Sequence, residues 1–108
     1  MTDRPAVLVT GAAGYVGRLC IRALAEQGDQ LSRLVALDWT DVARADRVAG
    51  VRYEQGDICD AGLGHLLRSH QIDTVVHLAS IVRAPDDAPD DLAYRVDVDG
   101  TRNVLNAC

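Results

Sequence analysis

Apolar positions along this chain fall into two alternating rhythms. Ala6-Val7-Leu8-Val9 is continuously apolar, which reads as a strand buried on both faces and therefore central in a parallel sheet. From Tyr15 the apolar positions Val16, Leu19, Cys20, Ala23 and Leu24 recur at helical spacing, and Gly28 is a natural stop just past the end. Leu34 to Asp38 repeats the strand pattern. Val51 to Gln55 alternates like a shorter strand. Leu63, Leu66 and Leu67 then mark the apolar side of a helix that Asp60 can cap, weakened by Gly62 and Gly64. Ile72 and Thr74 to Leu78 give a fourth strand. Leu92, Val96, Val104, Leu105 and Cys108 predict a long final helix interrupted by Gly100. Two stretches stay open. Trp39 to Gly50 suits a short helix through Val42, Ala45 and Val48, or an exposed loop. Ser80 to Asp91, where Pro85 and Pro89 bracket Asp86 and Asp87, reads as a mobile solvated lip or as a charged loop without function.

Strands that alternate with helices predict an α/β fold with right-handed crossovers. Placed in the Rossmann-type doubly wound arrangement, the four strands run 3-2-1-4. Ligands then bind in the crevice between strands one and four, where the strand order reverses.

The chemistry begins where the first strand meets the first helix, at Thr10-Gly11-Ala12-Ala13-Gly14-Tyr15-Val16-Gly17. Gly11 allows a tight reversal, Gly14 has no Cβ to hold a pyrophosphate away, and Gly17 lets the helix lie close on the strand. The unpaired N–H groups of the helix's first turn, and its dipole, favour phosphate. Asp38 ends the next strand, 21 residues after Gly17. A carboxylate there accepts both hydroxyls of an adenosine ribose and repels a 2′-phosphate, so NAD is preferred over NADP. No arginine follows directly: Trp39 and Thr40 come next, with Trp39 near the expected adenine edge.

Four ordered motifs together resemble the extended short-chain dehydrogenase/reductase family, the NAD-dependent epimerases and dehydratases. The first is the T-G-x-x-G-x-x-G turn. Gly56-Asp57-Ile58 resembles the family's segment after the third strand, where the aspartate meets the adenine amino group; Asp57 alternatively caps a turn. His77-Leu78-Ala79-Ser80 is similar to the family's H-L-A-A segment beside the cofactor. Ser80 replaces its second alanine, and bonds either the cofactor or the chain. Val96 to Leu105 resembles the N-V-x-G-T-x-N-L-L helix, with Asp97 where the family often has asparagine. The resemblance implies cofactor contacts at Gly11, Ala13, Gly14, Tyr15, Val16, Gly17, Asp38, Trp39, Asp57, Ile58, Leu78, Ala79 and Ser80. It also implies hydride transfer at a substrate hydroxyl, with a nucleotide sugar among the candidate substrates.

The family's proton transfer resembles a tyrosine acidified by a lysine four residues on, since the unperturbed tyrosine pKa of about 10 is too high for a base near neutrality. This chain has no lysine, and Tyr94 has Val98 at the fourth position. The expectation is therefore a partial NAD-binding domain over 1–108, inactive alone, without the catalytic Y-x-x-x-K segment and the substrate domain. A stand-alone NAD-binding module is the alternative. The fourth strand, left on an open edge, predicts self-association.

Composition narrows the partners. An apolar fraction of 48% fits a globular domain rather than a disordered one. The net charge is −5 and the arginines are scattered, which argues against nucleic acid and anionic membranes. Neither a leader nor a run of about 18 apolar residues is seen, so a cytoplasmic location is expected. Cys20, Cys59 and Cys108 are widely spaced, which fits reduced thiols. His65, His70 and His77 do not share a metal-ligand spacing.

Overall fold

The computed structural model describes residues 4–81 and 86–108. Part of the expected lip between Ser80 and Asp91, at 82–85, therefore lies outside the described residues.

Strand β1 (Ala6–Thr10) is buried along its whole length, as the unbroken apolar run requires. It pairs in parallel with β2 (Arg33–Asp38) on one side, Val7 opposite Leu34 and Thr10 opposite Leu37. On the other side it pairs with β4 (Thr74–His77), Thr10 opposite His77. Strand β3 (Arg52–Gln55) joins the far edge of β2, with Asp38 opposite Gln55. The order is β3-β2-β1-β4, the predicted Rossmann order for four strands.

Side chains alternate across this sheet, and each face has its own helical cover. Leu8, Val35 and Leu37 point to a core shared with Ile58, with Leu63 and Leu67 of helix α2 (Leu63–Ser69), and with Val104 of the final helix. Val7, Val9, Leu34 and Ala36 point the other way and meet Ile21 of helix α1 (Tyr15–Ala25). Helices on both faces leave β1 and β2 no solvent side, which is why neither strand alternates in sequence.

Four local expectations are corrected. Helix α1 docks through Gly17 and Ile21, both buried and one turn apart, with the expected Cys20 and Leu24 packed partly buried beside them, whereas Val16 and Leu19 are 59% and 52% exposed. The apolar stripe of α1 is wider than the strip of sheet it covers. Asp60 does not cap α2; its Oδ1 accepts the Gly62 N–H at 2.7 Å, closing a turn in front of the helix. The final helix is continuous over 92–107, with a π segment at Arg95–Gly100 between the α-helical pieces Leu92–Tyr94 and Thr101–Ala107. Gly100 does not interrupt it, because its backbone is helical (φ −63°, ψ −44°) and a Cβ there would sit 2.5 Å from Ile58 Cδ1. It is a packing glycine. Leu105, 70% exposed, and Cys108 belong to the outer side of that helix rather than to its apolar face.

Trp39 to Gly50 is a loop with one 3-10 turn, at Arg44–Asp46. Among the described residues no helix is long and apolar enough to cross a membrane.

Two glycine substitutions separate packing from backbone freedom. A Cβ on Gly17 would lie 2.0 Å from the Gly11 carbonyl oxygen, so Gly17→Ala should destabilise by roughly 3 kcal/mol or more, the upper end for overpacking. Gly28 has φ +52° and open space around it, so Gly28→Ala should lose about 1 kcal/mol from the left-handed backbone alone. Urea midpoints of the two variants test this, and equal losses would contradict the close helix–turn contact.

Candidate functional site

The carboxyl ends of all four strands open onto one cleft of about 770 Å³. Gly11, Ala13 and Gly14 enter it from the turn after β1, and Asp38 and Trp39 from the end of β2. Asp57 and Ile58 follow β3, and Leu78, Ala79 and Ser80 follow β4. The structure thus brings most of the sequence candidates around one space. Tyr15, Val16 and Gly17 do not line it: the side chains of Tyr15 and Val16 are exposed on the first turn of α1, and Gly17 is buried beneath Gly11.

The turn is built from backbone against backbone. Gly11 has φ +69°, and a Cβ on it would lie 2.7 Å from the Ala79 nitrogen, so the loop after β1 rests directly on the segment after β4. A Cβ on Gly14 would meet only the Gly11 oxygen at 3.4 Å, which leaves its outer side open. Gly14 is also the N-cap residue of α1, and no side chain caps that helix. The first-turn N–H donors and the positive end of the helix dipole are therefore left to a ligand.

Asp38 ties this turn to β2. Its Oδ2 accepts the Ala13 N–H at 3.0 Å and its Oδ1 accepts the Thr40 N–H at 2.9 Å. A carboxylate offers about four acceptor positions, so capacity remains for a pair of ligand hydroxyls. Asp57 takes the turn-closing role and also stands on the cleft. Its Oδ1 accepts the Cys59 N–H at 2.8 Å, closing a turn, and the residue still lines the cleft. Burial, and then Asp57 beside it, push the Cys59 thiol above its ordinary pKa. It stays protonated near neutrality and donates to the Arg95 carbonyl at 3.3 Å, which suits a structural thiol and not a nucleophile.

On the opposite wall Thr10 Oγ1 accepts the N–H groups of Leu78 and Ala79 at 3.0 and 3.1 Å. Asp97 Oδ1 accepts the Ile81 N–H at 2.8 Å. An asparagine oxygen would do the same, so the departure from the family's asparagine costs nothing at that bond. Asn103 Nδ2 donates to the carbonyls of Ile58 and Asp60, at 2.7 and 2.8 Å, and holds the final helix to the turn after β3.

Several cleft residues were not foreseen. Arg18, whose Nε donates to the Ala13 carbonyl at 3.0 Å, places a guanidinium beside the glycine turn; its signal was a cation directly after the third glycine. Arg95, Val96 and Asp99 line the cleft from the π segment, a register that helical periodicity does not encode.

A doubly wound parallel sheet with an uncapped glycine turn at its switch point and an acidic residue closing β2 defines a dinucleotide-binding domain. The profile of the NAD dependent epimerase/dehydratase family matches residues 7–108, and the chain belongs to that family, whose cofactor is NAD. It is 34% identical to a UDP-glucose 4-epimerase of Azospirillum brasilense, over 100% of this chain and 32% of that protein. It is 38% identical to a dTDP-glucose 4,6-dehydratase of Streptomyces griseus, over 94% of this chain and 33% of that one. Among solved structures, the Bordetella bronchiseptica enzyme WbmG, in complex with NAD and UDP, superposes with a TM-score of 0.79 at 29% identity. That match covers 97% of this chain and 34% of WbmG. The chain spans about a third of the length of the relatives it matches.

Removing the Asp38 carboxylate should free two amides at once. Asp38→Ala is expected to cost about 1–3 kcal/mol, the usual penalty for stranding hydrogen-bond donors, and to speed amide hydrogen exchange at Ala13 and Thr40. Unchanged protection at both amides would show that the clamp does not hold the turn.

Proposed function

We propose that this chain is the NAD-binding portion of an oxidoreductase or isomerase that acts on a sugar-like hydroxyl, a nucleotide sugar being the favoured substrate class. The observation that carries the reading is Asp38, held at the lip of the cleft by the glycine turn itself. The peptide groups of Tyr15, Val16 and Gly17 would hold the diphosphate over Gly14, whose own N–H already donates to the Gly11 carbonyl at 3.1 Å, with Arg18 beside it. Asp38 would accept the adenosine ribose hydroxyls and disfavour a 2′-phosphate. Trp39, Asp57 and Ile58 would flank the adenine, while Gly11, Ala13 and Leu78 to Ser80 would form the floor leading toward the reacting end. When bound, NAD supplies hydride acceptance and return.

The residues described here bind and orient, and none of them replaces the tyrosine–lysine pair that moves the proton in the family. With no lysine in the chain, the catalytic segment and the substrate domain fall outside 1–108 in this reading. The same absence favours one second reading, an NAD-binding module without catalysis. A cytoplasmic setting accords with the three free cysteines.

Trp39 is the chain's one tryptophan, 60% exposed and on the cleft, so its fluorescence should report cofactor directly. Titration should give NAD affinity at least about tenfold above NADP, a difference of about 1.4 kcal/mol, and Asp38→Ala should weaken NAD and level the two. Equal affinity in the parent chain would remove Asp38 from the reading.

We also propose that the 108-residue chain, taken by itself, covers the outer edge of β4 by self-association or aggregates, since the only strand partner of β4 among the described residues is β1. Sedimentation should show a dimer or a larger species; a monomer that persists at high concentration would count against it.

A further inference from the structure

We propose that neutral His77 is a positioning residue for the cleft. Through Thr10 it fixes the Leu78–Ala79 backbone, and a proton on its Nδ1 loosens that wall and weakens dinucleotide binding. The binding half of this inference rests on the NAD reading above.

The hydrogens available around Thr10 decide which ring nitrogen of His77 is bare. Thr10 is fully buried, and its Oγ1 lies 3.0 Å from the Leu78 nitrogen, 3.1 Å from the Ala79 nitrogen and 2.7 Å from His77 Nδ1. A hydroxyl has two lone pairs and one hydrogen. Peptide N–H groups can only donate, so the two amides occupy both lone pairs; Leu78 also approaches the Thr10 carbonyl, at the longer distance of 3.3 Å. The hydroxyl hydrogen then has one destination, His77 Nδ1, which must be bare. The neutral ring consequently carries its hydrogen on Nε2, and Thr101 Oγ1 stands 2.9 Å from that atom to accept it. Two backbone amides thus set the direction of a chain that runs from β1 through β4 to the final helix.

A proton on Nδ1 reverses the first link. The N–H would point at an oxygen whose lone pairs are taken, so either the ring moves or one amide loses its acceptor. Those peptide groups line the cleft, and Gly11 packs on them with no room for a methyl group. The disturbance reaches the glycine turn in one step.

The charges facing the ring come from one side. Strand β1 presents the Thr10 hydroxyl and carries no charged side chain. The final helix presents Asp97, which favours the cation; burial opposes it with the larger effect and holds the imidazole below its ordinary value. An unfolded histidine titrates near 6.5. Between that value and the lower folded one, the unfolded chain binds a proton that the folded chain refuses. Stability from this group is therefore complete above pH 6.5 and declines as pH falls across that window. Affinity for NAD should be flat above the folded titration and fall by up to about tenfold per pH unit below it, as the neutral fraction falls.

The test combines histidine and amide NMR on the 108-residue chain with NAD titrations across pH. Expected are an Nε2–H tautomer at His77, protection factors at Leu78 and Ala79 that drop as His77 titrates, and NAD affinity that drops in step. Thr10→Val should weaken NAD and remove the pH dependence, while Thr10→Ser, which keeps the hydroxyl, should retain it. An Nδ1–H tautomer, or amide protection indifferent to His77, overturns the proposal even if no variant folds. NAD affinity that stays flat through the titration overturns its binding half. Failure to bind NAD at any pH defeats the cofactor reading and that half together, and the tautomer and amide data then decide the role of His77 in the wall.

Discussion

Between Gly17, Gly11 and the Leu78–Ala79 backbone there is no space for a methyl group at either contact, and much of the fold serves to keep those three segments stacked. Helix α1 can lie on the turn only because position 17 lacks a Cβ. The turn can lie on the end of β4 only because position 11 lacks one and takes a positive φ. Parallel pairing of β1 with both β2 and β4 sets the height of each strand end, so Asp38 and Ala79 arrive at the same level as the turn. Asp38 then clamps Ala13 from one side, and Thr10 clamps Leu78 and Ala79 from the other. A glycine turn is intrinsically floppy, since glycine has the most backbone freedom to lose. Contacts on three sides remove that freedom before any ligand arrives, which is the condition for tight binding.

Where burial decides the structure, the sequence was readable. Unbroken apolar runs in β1 and β2 require helices on both faces, which points to the doubly wound arrangement; the strand order follows only once the strands are placed in the Rossmann pattern. Where shape decides it, the sequence was not. Periodicity marks the apolar residues of α1 but not how many of them the sheet can reach, so Val16 and Leu19 were assigned to a core that takes in Gly17, Ile21 and, in part, Cys20 and Leu24. Gly100 resembled a helix breaker by composition. Its reason for being glycine is the Ile58 side chain, which lies 42 residues earlier in the chain and has no local signature.

The site was legible to the extent that its function is carried by backbone. Glycine spacing, the acid ending β2 and the segment after β4 are local patterns, and the structure gathers them around one cleft. Arg95 and Asp99 were invisible because the π segment rotates them by a fraction of a turn relative to an α-helix. Asn103 was visible as part of a motif, yet its work of tying the final helix to the carbonyls of Ile58 and Asp60 is purely three-dimensional. At Asp57 the turn-closing and ligand-facing readings do not compete, because a carboxylate that closes a turn with one oxygen keeps acceptor positions on the other.

A chain of net charge −5 is at first sight a poor host for a diphosphate. Distance resolves the conflict. The scattered carboxylates act across solvent, where salt screens them over about 8 Å. The uncapped N–H groups of α1 act at hydrogen-bonding distance and are attached to the backbone, so they lose no side-chain entropy on binding. Anion binding by peptide dipoles therefore tolerates an acidic surface. It also leaves local carboxylates free to discriminate. In the proposed reading Asp38, bonded to the turn through the Ala13 N–H, would oppose an added 2′-phosphate without cancelling the attraction of the helix terminus for the diphosphate. A basic patch strong enough to hold the diphosphate by charge alone would attract the 2′-phosphate as well, so preference for NAD is easier to build on an acidic chain than on a basic one.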